Sequence, residues 1–256
     1  DLGKPAPVPP PRLLHFSISK SATQYVMMLL HRCSALNNMS HANFSGYAYN
    51  TDFPYLYELN SENMSEYSHL FHPTGYLYGV FGGFVEGIPN LDQYRIILMI
   101  RDPRDVLVSQ YFSIVHSHKP PMRSGDKYDR FMAHKNQASE LGLDGYVLSK
   151  ASWVASFYRK YMEKLIPAVK EIHLMRYEEM VCDFSTWLTN LLKYCNFTVD
   201  KKFFNELCQN HEQMQPSKED PSRHLRKGQP GDYLEKLQPD TIKALNDEFG
   251  DILEAF

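Results

Sequence analysis

The sequence predicts a single α/β domain built on a central parallel β-sheet flanked by helices. Three observations carry this. Short apolar runs of strand length alternate with helical patterns along the chain. The clearest run, RIILMI at 95–100, is apolar throughout after Arg95, as a strand covered on both faces must be. And 256 residues with 43% hydrophobic content suit one large domain better than two small ones.

In order, residues 1–11 (DLGKPAPVPPP) read as an extended proline-rich tail, which leaves 12–256 as the domain. LLHFSI, ending at Ile18, reads as a buried strand. Ser19-Lys20-Ser21-Ala22-Thr23 is a polar turn, and TQYVMMLLHRC after it has helical apolar spacing. Residues 37–75 show no period and suggest loops with short helices, and YLYGVF at 76–81 is a second strand candidate. After the strand at 95–100, Asp105 begins a helix that runs to Lys119-Pro120-Pro121. The polar stretch 120–145, punctuated by glycine and proline, is expected to be a mobile surface loop or lid. Trp153, Phe157, Tyr161 and Leu165 recur every four residues, a helical stripe expected in the core. EIHLM at 171–175 predicts a strand, helices follow around 184–195 and 200–210, and 214–240 looks irregular. Pro239-Asp240 then starts a last helix over Thr241–Phe249.

Composition excludes some roles. With 27 Lys and Arg against 30 Asp and Glu, the net charge of −3 offers no basic stripe for nucleic acid or a polyanionic glycan. The four cysteines lack CxxC or zinc-ligand spacing, so no metal is expected. Cys182, Cys195 and Cys208 fall in helical patterns as buried thiols. Neither a membrane-spanning run nor a signal-peptide pattern is present. A cytoplasmic location is expected, with the Golgi lumen as the alternative if the sequence is a piece of a longer chain. The Asn-x-Ser/Thr triplets at Asn38, Asn43, Asn63 and Asn196 bear on that alternative.

Three motifs carry chemistry. At Ser19–Tyr25, a strand-to-helix loop presents free backbone N–H groups and the positive end of a helix dipole, which suit phosphate or sulfate. Lys20 adds a charge there, and Ser21 and Thr23 add hydroxyls. No glycine flanks Lys20 as the ATP-binding pattern GxxxxGK requires, so magnesium–ATP is disfavoured. In the second motif, Arg101-Asp102-Pro103-Arg104-Asp105 with Ser109, the strand delivers Arg101 to the ligand-binding edge of the sheet, and Ser109 follows in the helix. In the third, Arg226-Lys227-Gly228-Gln229-Pro230-Gly231-Asp232, two cations precede a glycine-bounded turn.

Taken in this order, the three motifs resemble the sulfotransferases that use 3′-phosphoadenosine 5′-phosphosulfate (PAPS), above all the cytosolic type, from about residue 12 to 250. The resemblance implies a P-loop-NTPase-like fold and a metal-free transfer of a sulfuryl group from PAPS to a hydroxyl or amine of a small-molecule acceptor. The product nucleotide would be 3′-phosphoadenosine 5′-phosphate (PAP). It assigns the 5′-phosphosulfate to Lys20, Ser21, Ala22, Thr23 and Gln24, and the adenine to Tyr25, Tyr177 and His211. It assigns the 3′-phosphate to Arg101, Ser109, Arg226, Lys227 and Gly228, and makes Lys20 a catalytic charge stabiliser. The first loop departs from the family pattern Pro-Lys-Ser/Thr-Gly-Thr-Thr-Trp at Ser19, Ala22, Gln24 and Tyr25. The family's catalytic histidine is also missing, because Phe81 stands about where it belongs. His116, seven residues after Ser109 and so on one helical face with it, is the candidate base, with Glu86 and His72 as options. Two other readings stay open: a nucleotide-binding relative that has lost turnover, and a P-loop kinase. The acceptor pocket is expected from 44–57 and 119–145. The acceptor and the oligomeric state are not legible, since Thr241-Ile242 match only the middle of the family's dimerisation segment.

Overall fold

A computed structural model describes residues 11–72, 74–120, 124–214, 216, 218–220 and 226–256 of the chain. Five strands, β1 (Leu13–Ser17), β2 (Ser40–Ala42), β3 (Tyr76–Phe81), β4 (Arg95–Ile100) and β5 (Glu171–Arg176), form one parallel sheet in the order β2-β3-β1-β4-β5. Helix α1 (Thr23–Leu36) follows β1, while α2 (Phe44–Asn50) and α3 (Ser61–Met64) lie between β2 and β3. Between β4 and β5 run α4 (Pro103–Phe112), α5 (Asp126–Lys160) and α6 (Ile166–Ala168). After β5 come α7 (Tyr177–Cys182), α8 (Phe184–Cys195), α9 (Lys201–Met214), α10 (Asp232–Lys236), α11 (Pro239–Glu248) and α12 (Gly250–Ala255).

Strand alternation sorts the apolar side chains into two cores. Leu14, Phe16, Ile96, Leu98 and Ile100 pack against Val106 of α4, Tyr158 of α5 and Leu245 of α11. Leu13, Ile97, Met99 and Met175 face the other way, onto Leu30 of α1 and Leu188 and Leu191 of α8. Both faces of β4 are therefore covered, which is why its sequence does not alternate with polar residues. Each such side chain contributes about 1.5–3 kcal/mol by leaving water.

The structure corrects four expectations. The stretch 120–145 is not a loop beyond Gly125: α5 starts at Asp126, while 121–123 lie outside the described residues, as does the tail up to residue 10. No glycine or proline falls between Asp126 and Leu141, and Asp126 and Asp129 complement the dipole of the first turn. The helix breaks only at Gly142, where φ is 66°. Trp153 is not core but 51% exposed, although Tyr161 and Leu165 of the same stripe are buried. Cys182 is exposed and Cys208 half-buried, while Cys33 and Cys195 are buried thiols. Strand β2 has no apolar run to announce it and exists through its pairing with Tyr76–Tyr78. Among the described residues, no helix is long and apolar enough to cross a membrane.

His15 lies in the middle of β1, fully buried, with neither ring nitrogen hydrogen-bonded among the described residues. Burial, helped by His41 nearby, pushes its pKa down to about 3. Burial likewise lowers His41 to about 4, with His31 adding to the effect and a backbone contact at Gly79 opposing it. Both imidazoles are neutral in the fold and protonate near pH 6.5 once unfolded, so stability is lost as pH falls from 6.5 towards 4 and 3. His15 alone should remove about 1.4 kcal/mol between pH 7.5 and 5.5. Urea unfolding at those two pH values should show this loss in the wild type and a smaller one in His15→Leu. An identical pH dependence in the two proteins would contradict the assignment.

Candidate active site

The carboxyl ends of the adjacent strands β1 and β4 deliver the first two motifs, and that of β5 delivers Tyr177, to one edge of the sheet, where open α/β folds bind ligands. After β1, the backbone N–H of Ile18 bonds Met99 and carries the strand pairing one residue further. The chain then turns sharply, with Lys20 at φ 67° and Ala22 at φ 56°, both left-handed. Ala22 caps α1 without a side-chain hydrogen bond, and no acidic residue occupies the first turn. The first N–H groups of α1 thus have neither a capping oxygen nor a nearby carboxylate, an arrangement suited to an anion. Ser21 is buried and its hydroxyl has no partner among the described residues. Thr23 is differently placed: its hydroxyl sits 2.9 Å from that of Ser17 and donates to the Ile18 carbonyl. Gln24 is exposed. Burial, with Arg101 close by, pushes the Lys20 ammonium down to about 8, so it stays mostly charged at neutral pH in surroundings that disfavour the charge, and an anion beside it would offset that.

Arg101 follows directly on β4 and is 7% exposed. Its Nη1 donates to the Lys20 carbonyl at 3.0 Å, and the guanidinium lies 4.2 Å over the ring of Tyr177 at the end of β5. Arg101 Nε, by contrast, is buried without a partner among the described residues. Asp105, in the first turn of α4, faces Arg101 at 3.5 Å and accepts the N–H groups of Gly231 (2.8 Å) and Tyr233 (3.0 Å). Burial raises its carboxyl pKa, while Arg101 and the two N–H groups pull the other way. The structure thus brings the second and third motifs together. Gly228 holds a left-handed φ of 68° there, and Arg226 lies 4.2 Å over the ring of Phe112. Ser109 is half-buried on α4.

Tyr25 and His211 also meet. The Tyr25 hydroxyl is 3.2 Å from His211 Nδ1, and the His211 ring stacks flat on Phe184 at 3.9 Å. Phe184 completes this aromatic platform and carries no motif by which sequence reasoning could have found it.

A cavity of 590 Å³ opens beside Ser19. Tyr57, Phe84, Trp153 and Phe157 line it, with Glu58, Glu86 and Lys160 as its charged groups. Gly83 leaves the room: a Cβ there would lie 3.0 Å from Phe157 and 3.3 Å from Tyr57. Of the aromatics at 44–57, only Tyr57 lines this cavity; Phe44 packs on Phe53, Phe71 and Tyr78 instead. Glu86 pairs with Lys164 at 2.5 Å, which holds its carboxyl below the usual range against a smaller opposing effect of burial. Neither His116 nor His72 lines the cavity. Residues 113–117 form a π turn, wider than an α turn, so the seven-residue spacing from Ser109 does not keep His116 on the same face. His116 is exposed and stacks on Phe112 at 5.9 Å. Phe81 is core, 1% exposed. No group of histidines, cysteines and acids able to hold a metal occurs among the described residues.

Residues 89–256 match the family model of the sulfotransferase domain. No curated protein sequence matches the chain. Among solved structures, the fold is similar to a mouse sulfotransferase complexed with PAP, at TM-score 0.58 and 14% identity over 94% of this chain and 83% of that one. It is also similar to retinol dehydratase in complex with androsterone and inactive cofactor PAP, at TM-score 0.52 and 14% identity over 96% and 81%.

If Asp105 ties the third motif to β4 and α4, Asp105→Asn should destabilise the fold by about 2–3 kcal/mol, because it leaves Arg101 without a counter-charge and weakens two buried N–H bonds. Urea unfolding at pH 7 measures this directly, and a loss under about 0.5 kcal/mol would mean that the loop is held by other contacts.

Proposed function

The chain belongs to the sulfotransferase family, and we propose that it transfers a sulfuryl group from PAPS to a hydroxyl or amine of a small-molecule acceptor. One observation carries the nucleotide reading. Ser21 Oγ and Arg101 Nε, on the two strand-end motifs, are buried donors without partners among the described residues, and the phosphate groups of such a nucleotide would satisfy both. The family match begins at residue 89, so the first loop is assigned on this geometry and not on the match.

PAPS, when bound, supplies the sulfuryl group on an anionic leaving group. Lys20, Ser21 and the N–H groups opening α1 hold the 5′ end. Lys20 stands against the negative charge that develops there, the kind of preorganised stabilisation that contributes most to such reactions. Arg101, Ser109 and the Arg226–Gly228 turn hold the 3′-phosphate, and Tyr177, Tyr25 and His211 position the base. The 590 Å³ cavity takes the acceptor. Glu86 is the base this geometry favours over His116, because it lines that cavity. The competing reading is a nucleotide-binding relative without turnover; it is favoured by the phenyl ring of Phe81 where the family keeps a histidine. Membership of the sulfotransferase family sets the kinase reading aside.

Calorimetry should show Arg101→Ala binding PAP at least about 30-fold more weakly than the wild type, the loss of a charge-assisted bond to a desolvated phosphate. Wild-type affinity in this variant would remove Arg101 from the site.

The base is read from pH profiles of turnover. With Glu86 ionised well below neutrality, the rate should be flat from pH 6 to 9, and Glu86→Gln should lower it by roughly 10²-fold. A rise with a midpoint near pH 6.5 that disappears in His116→Ala would transfer the role to the imidazole. Bound PAPS with no turnover in any acceptor screen would favour the binding protein.

A further inference from the structure

The third motif is already neutralised from within. Arg226 uses both arms of its guanidinium internally, Nη1 on Glu219 and Nη2 on Asp232. Glu219 reaches Lys236 with its other oxygen at 2.9 Å. Lys227 lies 3.2 Å from Asp232 and 2.6 Å from Glu235. Three cations thus face three carboxylates, and an incoming phosphate meets no net positive charge from this group.

The two carboxylates on Arg226 are not equivalent. Asp232 is 1% exposed and opens α10, next to the Gly231 and Tyr233 N–H groups that Asp105 holds. It is part of the frame. Glu219 has a side chain 27% exposed, lies outside any helix or strand, and connects to the motif through a backbone bond from Asp220 to the Arg226 carbonyl. Although burial opposes it, Lys236 and Arg226 hold its carboxyl below the ordinary range, so it is an anion at neutral pH. The ring of Phe112 lies 4.2 Å under the guanidinium and favours this plane of Arg226, with Nη1 and Nη2 both turned to carboxylates. Asp105 links the two arginines into one cluster: it faces Arg101 at 3.5 Å and accepts the Gly231 N–H, next to the Asp232 that holds Arg226.

We infer that Glu219 is an internal competitor for the 3′-phosphate: it occupies the Nη1 arm of Arg226 and must give it up, remaining on Lys236, when that phosphate binds. The inference rests on the proposed nucleotide site and adds a residue that sets its affinity and its preference for 3′-phosphorylated ligands. Removing the carboxylate leaves one uncompensated positive charge and a free guanidinium arm. Both act where the 3′-phosphate sits, so they favour a phosphate dianion there much more than a ligand that carries its charge only at the 5′ end.

The test is calorimetric titration of wild type, Glu219→Gln and Glu219→Ala with PAP, and in parallel with adenosine 5′-phosphosulfate, which has no 3′-phosphate. Thermal unfolding of each variant checks that it is folded. Both substitutions should tighten PAP about tenfold and leave the second ligand within about twofold. Unchanged or weaker PAP binding in folded variants that still bind it overturns the competitor role and leaves the nucleotide reading standing. Equal tightening of both ligands also overturns it, since the effect would not involve the 3′-phosphate. If neither the wild type nor the variants bind PAP, the nucleotide reading fails, and the competitor fails with it.

Discussion

The arrangement of this site depends on one buried carboxylate. Asp105 has no exposed surface, and it spends its two oxygens on the Gly231 and Tyr233 N–H groups and on the guanidinium of Arg101. These three partners belong to segments more than a hundred residues apart. That carboxylate ties the 226–232 turn to the end of β4, beside the stacking of Arg226 on Phe112 and of Arg104 on Tyr233. Burial of a charge is unfavourable unless hydrogen bonds and a counter-ion compensate it, and Asp105 has both. Neighbouring contacts follow the same logic: Glu178 accepts the Asp102 N–H at 2.9 Å, and the Tyr158 hydroxyl donates to the Arg101 carbonyl. The end of β4 is therefore held from α4, α5 and α7 at once, and Arg101 is presented on a rigid element.

The site divides into a cationic half and a half lined by both aromatic and charged side chains, separated by the first loop. On one side Lys20, Arg101 and the 226–232 turn converge; on the other a cavity lined by Tyr57, Phe84, Trp153 and Phe157 begins at Ser19. The same frame also explains why Lys20 is easily perturbed. It shares a poorly hydrated corner with Arg101, so its charge is costly until an anion arrives.

The sequence made the frame legible wherever one segment carries its own signal. The apolar run of β4 reads as the buried strand it forms, and the Arg101–Asp105–Ser109 and Arg-Lys-Gly segments stand out by their own residues, because strand burial and strand-end chemistry are local properties. What stayed hidden depends on contacts between distant segments. Phe184 matters only because His211 lies flat on it, and Glu219 only because Arg226 turns towards it. The first half of α5 has a polar sequence around one narrow contact face, so its periodicity is weak although its helix propensity is sound. His116 shows a different failure: the spacing argument assumed an α-helix where residues 113–117 widen into a π turn.

Trp153 was expected in the core and stands half-exposed at the cavity instead. The chain has two tryptophans, and the other, Trp187 on α8, is stacked on Phe184 and 5% exposed. An indole in contact with water emits to the red of one in a hydrocarbon environment. The long-wavelength part of this protein's fluorescence therefore comes from one ring on the wall of the cavity. The molecule carries its own optical label for that space, sensitive to whatever displaces water from it.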